Sequence, residues 1–220
     1  MDKRLPEFQV IVIGLEGNLR NPGLSQVAPK ITYVNPVILE ERPILTMDQI
    51  MKEFILNGRK LTQGERGCSL AHINVRSVVA GGTHDWALVL EDDVDLPADW
   101  KNRLAESIDF ERIQPSVILL NTNHYIGLSS EFSSLGVKPS GANAYLVHKH
   151  VLLKRTHREL ERFEIADWPI SFSTSKFYAV NDIAKDTLTL SIIGHRNKSR
   201  LLFVFSVLAR FLVLPFSTLL

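Results

Sequence analysis

Cysteine is almost missing. The 220 residues contain one, Cys68, which excludes an internal disulfide and any metal site built from cysteines alone. A reducing compartment follows as the expectation, the cytoplasm being the simplest. Excess charge of either sign is missing too. With 25 Lys and Arg against 24 Asp and Glu, the net charge of +1 gives no field to attract a phosphate backbone, so nucleic acid is not expected as a partner. No internal repeat and no low-complexity tract occurs. A secretory leader is not read in MDKRLPEFQVIVIGLEG, because the basic residues precede a short apolar run that already makes a strand and no small-residue cleavage site follows. What remains is 45% hydrophobic residues over a length suited to one α/β domain.

Against this neutral background one stretch stands out, WALVLEDDVDLPADW from Trp86 to Trp100. Ala87 to Leu90 form an apolar run too short for a helix, as in a strand buried on both faces inside a parallel sheet. Glu91, Asp92, Asp93 and Asp95 then emerge at the carboxyl end of that strand, the edge where open α/β sheets place their ligand crevice. Crowded carboxylates repel one another unless water or a cation screens them. On an extended backbone Glu91, Asp93 and Asp95 would share one side and Asp92 would take the other, so one hard divalent ion could meet two or three carboxylates. A solvated acidic turn leading into a helix from Pro97 is the plain alternative. An EF-hand fits less well, since Ala98 stands where the sharp turn needs Gly.

Elsewhere the pattern reads as alternating strands and helices. Phe8 to Leu15 is a strand ending in Gly14, where the backbone can pass close to a ligand. Ile31 to Leu39 is a second strand, suited by Asn35-Pro36 to a sheet edge. Thr62 and Glu65 have capping-box spacing for a helix stopped by Gly81-Gly82, with Leu70, Ile73, Ser77 and Val78 as its helical face. Cys68 and His72, four apart, share a face of it, where a buried thiol and a satisfied core histidine compete with a metal pair. A helix over Ala98 to Phe110, strands over Val117 to Leu120 and Gly141 to His148, and a basic amphipathic helix from Lys149 to Phe163 complete the series. Tyr125 to Pro139 reads as a loop. In ADWPIS, Asp167 precedes Trp168 and Pro169 in a tight aromatic turn, where it can serve as a base or as a helix cap.

The stretch from Leu201 to Leu220 carries Arg210 as its one charge and follows the basic residues His195, Arg196, Lys198 and Arg200. A central Arg costs ~3 kcal/mol on insertion while each Leu, Phe or Val returns roughly 0.3 to 0.6, so spanning a membrane is near balance. An interfacial helix on anionic lipid, a span and a last core helix are the three readings. The division expected is therefore a folded domain over 1–200 and an apolar membrane-associating tail over 201–220.

Three blocks together resemble glycosyltransferase family 25, the group of lipooligosaccharide and collagen galactosyltransferases. LTQGERGCSLAH (Leu61 to His72) is similar to the family's L-T-x-G-E-x-G-C-x-x-S-H, WALVLEDDVDL to its A-L-I-L-E-D-D-V, and GANAYLVHK with ADWP to its G-x-x-A-Y-L-I and D-W. The resemblance implies an α/β fold of GT-A (Rossmann-like) type with a mostly parallel central sheet. It also implies an inverting, metal-dependent transfer of a hexose, galactose by preference, from a UDP-sugar to a lipopolysaccharide or other surface glycan or glycolipid acceptor. Manganese or another divalent ion is then expected at Glu91, Asp93 and Asp95, with Asp167 as the base. Gly14, Glu65, Cys68, His72 and Asp92 are placed at or near the nucleotide-sugar donor. The expected setting is the cytoplasmic face of the inner membrane, reached through the tail. A catalytically degenerate sugar-nucleotide-binding or scaffold protein and a metal-dependent phosphohydrolase are the competing classes.

Overall fold

A computed structural model describes residues 5–14, 31–37, 45–121, 133–135, 142–154, 158–166, 168–169, 172, 175–180 and 183–186. Parallel pairing organises the first half. Strand β1 (Phe8–Ile13) lies between β2 (Ile31–Val34) and β3 (Trp86–Glu91), parallel to both, with Ile13 in register with Val34 and Glu91. The order across the sheet is β2-β1-β3-β7-β5-β8-β6, where β5 is Val117–Leu119, β6 Ser133–Leu135, β7 Ala144–His148 and β8 Phe177–Ala179. Strands β7 and β6 run against the rest, so the mostly parallel sheet expected from the sequence carries two reversed strands, one of them central. A small second ladder pairs β4 (Val94–Asp95) with β9 (Lys185–Asp186). As Asn35-Pro36 suggested, β2 is an edge strand, and it stops just before them.

Alternation along β1 and β3 feeds two separate cores. Ile11, Ile13, Ala87 and Val89 face one side, beside Tyr145 of β7, and share a core with helix α2 (Gln63–Gly81), Trp168 and Phe172. Val10, Val12, Leu88 and Leu90 face the other, against Val94, Leu96 and helix α3 (Trp100–Ser107). Every residue from Trp86 to Leu90 is buried, which is why this run carries no polar position. Full burial of each Leu or Val contributes roughly 1.5–3 kcal/mol.

Helix α2 matches its sequence limits but not its predicted face. Thr62 and Glu65 form the capping box, and Gly82 follows its end. The buried positions are Ala71, His72, Val75, Arg76 and Val79, together with Gly67 and Ser69, whereas Val78 is exposed and Leu70 and Ile73 are only partly covered. Hydropathy pointed to the wrong side because the buried face includes polar residues that have found partners. Ser69 Oγ donates to Glu164 O, His72 contacts Tyr145 and Glu91, and Arg76 pairs with Glu161. Gly67 lies under the Val37 carbonyl, where an added Cβ would collide with the oxygen.

Other elements also depart from the sequence reading, among them β6, which lies within the 125–139 stretch read as a loop. Helix α1 (Met47–Asn57) was not anticipated, although Thr46 and Gln49 form a capping box and Gly58 closes it at φ 71°. The basic helix expected over 149–163 is instead a short helix α4 (Lys149–Leu153) and a 3-10 segment (Arg158–Phe163). That segment places Glu161 under α2, where Arg76 Nη1 donates to it at 3.0 Å with both side chains 1% exposed. Helix α1 is tied in by Glu53, which is buried and receives Arg66 Nε at 2.7 Å, Arg66 Nη2 at 2.8 Å and Leu61 N at 3.0 Å.

Breaking a buried ion pair from one side leaves a buried charge without its counter-ion, at about 3–5 kcal/mol. Arg76→Met is expected to lower unfolding free energy by that amount in urea titrations, and a loss below about 1 kcal/mol would contradict the role given to the pair.

Candidate active site

Because β1 and β3 are parallel, their carboxyl ends reach the same edge of the sheet. At that edge the chain leaves β3 in a turn rather than continuing extended. Glu91 N donates to Asn143 O (2.8 Å), Asp92 N donates to Ile13 O (3.2 Å), and Asp92-Asp93 form the turn before β4. The simple alternation expected over 91–95 is therefore interrupted. Val94 and Leu96 are buried in the core below, so Asp93 is partly buried and Asp95 exposed above them. Asp92 packs on Gly14, where an added Cβ would lie 2.8 Å from the Asp92 Cβ. Gly14 thus owes its place to the close approach of an acidic side chain at the strand end.

Glu91 faces α2. Its Oε1 lies 3.2 Å from His72 Nε2 and 3.7 Å from Cys68 Sγ, while His72 Nδ1 lies 3.2 Å from the Tyr145 hydroxyl. His72 is fully buried and stacked on Tyr145, with ring centroids 6.0 Å apart. Tyr145, to which the sequence reading gave no role, packs edge-on to Trp168 at 4.8 Å. Its position in the A-Y pair of the third block was the available signal.

Asp167 lies outside the described residues, but its neighbours are firmly held. Trp168 N donates to Ala166 O at 2.7 Å, and Ala166 O also accepts from Arg76 Nη2 at 3.3 Å. Trp168 has φ 55°, a left-handed conformation that costs a non-glycine residue roughly 1–2 kcal/mol and persists where surrounding packing imposes it. Here its buried ring sits among Tyr145, Phe172 and Phe177. His195 and the segment 201–220 also lie outside the described residues, and among the described residues no helix is long and apolar enough to cross a membrane.

The sequence model described as Glycosyltransferase family 25 (LPS biosynthesis protein) matches residues 37–154, more than half the chain. The chain belongs to glycosyltransferase family 25. Within the matched region fall the capping box of α2, the Cys68/His72/Glu91 cluster, the acidic turn and Tyr145. No curated protein sequence matches the chain. Among solved structures it is similar to a glycosyltransferase involved in the glycosylation of the major capsid of PBCV-1, at 15% identity and TM-score 0.34, covering 71% of this chain and 64% of that one. It is also similar to S. aureus TarS 1-349, at 12% identity and TM-score 0.38, covering 80% and 58%. The chain thus spans less than two thirds of either relative's length.

By donor chemistry the candidate residues fall into two groups. Asp92, Asp93 and Asp95 offer hard carboxylate oxygens, the ligand type that suits a divalent ion of the magnesium class. Among the described residues, the group of three whose ligand atoms converge within 4.8 Å is Cys68, His72 and Glu91. A cleft of about 470 Å3 bordered by Pro6, Thr83, Phe110 and His148 opens at the amino end of β3, the opposite edge, and holds none of the predicted site residues.

Glu65, expected near the donor, is occupied by structural bonds. Arg59 Nη1 and Nη2 donate to it at 2.8 and 2.5 Å, and Thr62 N at 2.9 Å. Burial raises the carboxyl's pKa, but the bonds from Arg59 and Thr62 outweigh it and hold the group at about 2 instead of 4.5. A depressed folded-state value stabilises the fold above the unfolded value and ceases to do so as pH falls through the folded one. Glu65→Gln is accordingly expected to lower the urea midpoint at neutral pH. The gap to the unsubstituted protein should close between pH 4.5 and about 2, and a gap independent of pH would contradict it.

Proposed function

We propose that this family 25 chain transfers a hexose, galactose by preference, from a UDP-sugar to a lipopolysaccharide, lipooligosaccharide or related surface glycan, with inversion at the anomeric carbon. The observation that carries the reading is the acidic turn Asp92-Asp93-Val94-Asp95, set by parallel β1 and β3 at the carboxyl edge of the sheet. Ligands of open α/β sheets bind at this edge.

In this reading Asp93 and Asp95 hold a divalent ion, manganese by preference, together with the donor diphosphate. Bound there, such an ion would supply positive charge to offset the negative charge developing on the departing nucleotide. Asp92, seated on Gly14, faces the donor sugar, and Asp167 takes the proton from the acceptor hydroxyl as that oxygen attacks the anomeric carbon. The fixed positions of Ala166 and Trp168 support that choice, since a base must be held within hydrogen-bond reach of its proton. Membrane association at the cytoplasmic face is part of the proposal. It is supported by the apolar sequence of 201–220 and by Met47, Met51, Phe54 and Ile55, which leave an apolar face of α1 exposed.

Calorimetric titration with UDP, UDP-galactose, UDP-glucose and UDP-N-acetylglucosamine, with and without manganese, tests the donor site. Binding is expected to need the ion and to favour UDP-galactose, and Asp93→Ala should reduce transfer by at least about 100-fold. Full activity of that variant would remove the assignment. Binding of a donor without turnover on any acceptor would favour the non-catalytic alternative.

A further inference from the structure

Glu91 was expected to join the hard-ion carboxylates, yet its oxygen faces a thiol and an imidazole. We propose that Cys68, His72 and Glu91 form a second, separate metal site, selective for a thiolate-binding divalent transition ion of the zinc class. The inference is independent of which sugar nucleotide the protein uses.

Geometry is the first support. With bonds of about 2.0 Å to nitrogen and oxygen and about 2.3 Å to sulfur, a tetrahedral ion has edges of about 3.3 Å for N···O and about 3.5 Å for S···O. The observed separations from Glu91 Oε1 are 3.2 Å to His72 Nε2 and 3.7 Å to Cys68 Sγ, and all three ligand atoms lie within 4.8 Å of one another. Such an arrangement differs from a thiol–imidazole relay, since both Cys68 and His72 are directed at the carboxylate between them.

The surroundings complete the case. Metal-bound histidines use their second ring nitrogen to hold the tautomer. His72 meets this condition, because Nδ1 can donate to the Tyr145 hydroxyl oxygen at 3.2 Å and leave Nε2 as the ligand. The ligands sit on a helix and a strand end rather than on loops, with His72 fully buried. Cys68 and Glu91 are partly exposed, so solvent and a metal ion can reach the cluster. Thiolate and carboxylate charges balance a divalent ion, and binding releases the thiol proton of Cys68 to solvent. Sulfur with imidazole favours zinc or cobalt over manganese and magnesium, so the two sites would select different ions.

Cobalt provides a direct reading on the full chain after chelator treatment. One equivalent of Co2+ should bind with a thiolate-to-cobalt charge-transfer band in the near ultraviolet, and Zn2+ should displace it. Cys68→Ser should abolish the band, and Tyr145→Phe should weaken binding about 10-fold. No band from the folded protein, or a band kept in Cys68→Ser, overturns the proposal. Should Cys68→Ser not fold, the unsubstituted protein still decides. Zn2+ is expected to slow alkylation of Cys68, the one cysteine in the sequence, at least about 10-fold, and an unchanged rate overturns the site. Neither readout involves a sugar nucleotide, so failure here and failure of the proposed transfer are separate results.

Discussion

Parallel pairing of β1 with β3 is the constraint on which the rest depends. It places Ile13 beside Glu91 and so brings Gly14 and the acidic turn to one edge. The pairing is held by burial on both faces, with Ile11 and Val89 in one core and Val12 and Leu90 in the other. A one-residue slip would exchange the two faces and move Glu91 away from α2. Register and site geometry therefore share one cause.

The second organising feature is the polar inner face of α2. His72 and Arg76 lie one turn apart, and each reaches a different neighbour. His72 reaches forward to Glu91 and Tyr145, while Arg76 reaches Glu161 and the Ala166 carbonyl. Through Tyr145 and Trp168 the two sets of contacts approach each other beside Ala166. One helix thus contacts both the strand end that carries Glu91 and Ala166, the described neighbour of the proposed base. Burying such polar groups is costly unless each is paired, and the pairing makes the helix orientation specific.

In the proposed reading, separation of donor types gives the site its chemical logic. Oxygen-only residues on the turn would take a hard ion and a diphosphate, whereas the sulfur, nitrogen and oxygen set of Cys68, His72 and Glu91 would take a softer one. Val94 and Leu96 anchor the chain in the core on either side of the exposed Asp95. Family membership explains why the blocks within 37–154 occur together.

Sequence alone determined the elements whose signals are local. The limits of α2 follow from Thr62, Glu65 and Gly82, and the central strand from an unbroken apolar run between turn residues. The acidic cluster at a strand end, and the family resemblance, were equally legible because they depend on short spacings. The capping signals of α1 were present too, but no apolar run drew attention to them. Tertiary structure decided the rest. Which face of α2 is buried depended on partners far along the chain, Tyr145, Glu161 and Glu164, that no periodicity reveals. The reversal of β7 and the grouping of Glu91 with Cys68 and His72 depended on how strands distant in sequence come together. Hydropathy records how much a residue gains by leaving water, whereas these choices were made by complementary polar groups meeting in space.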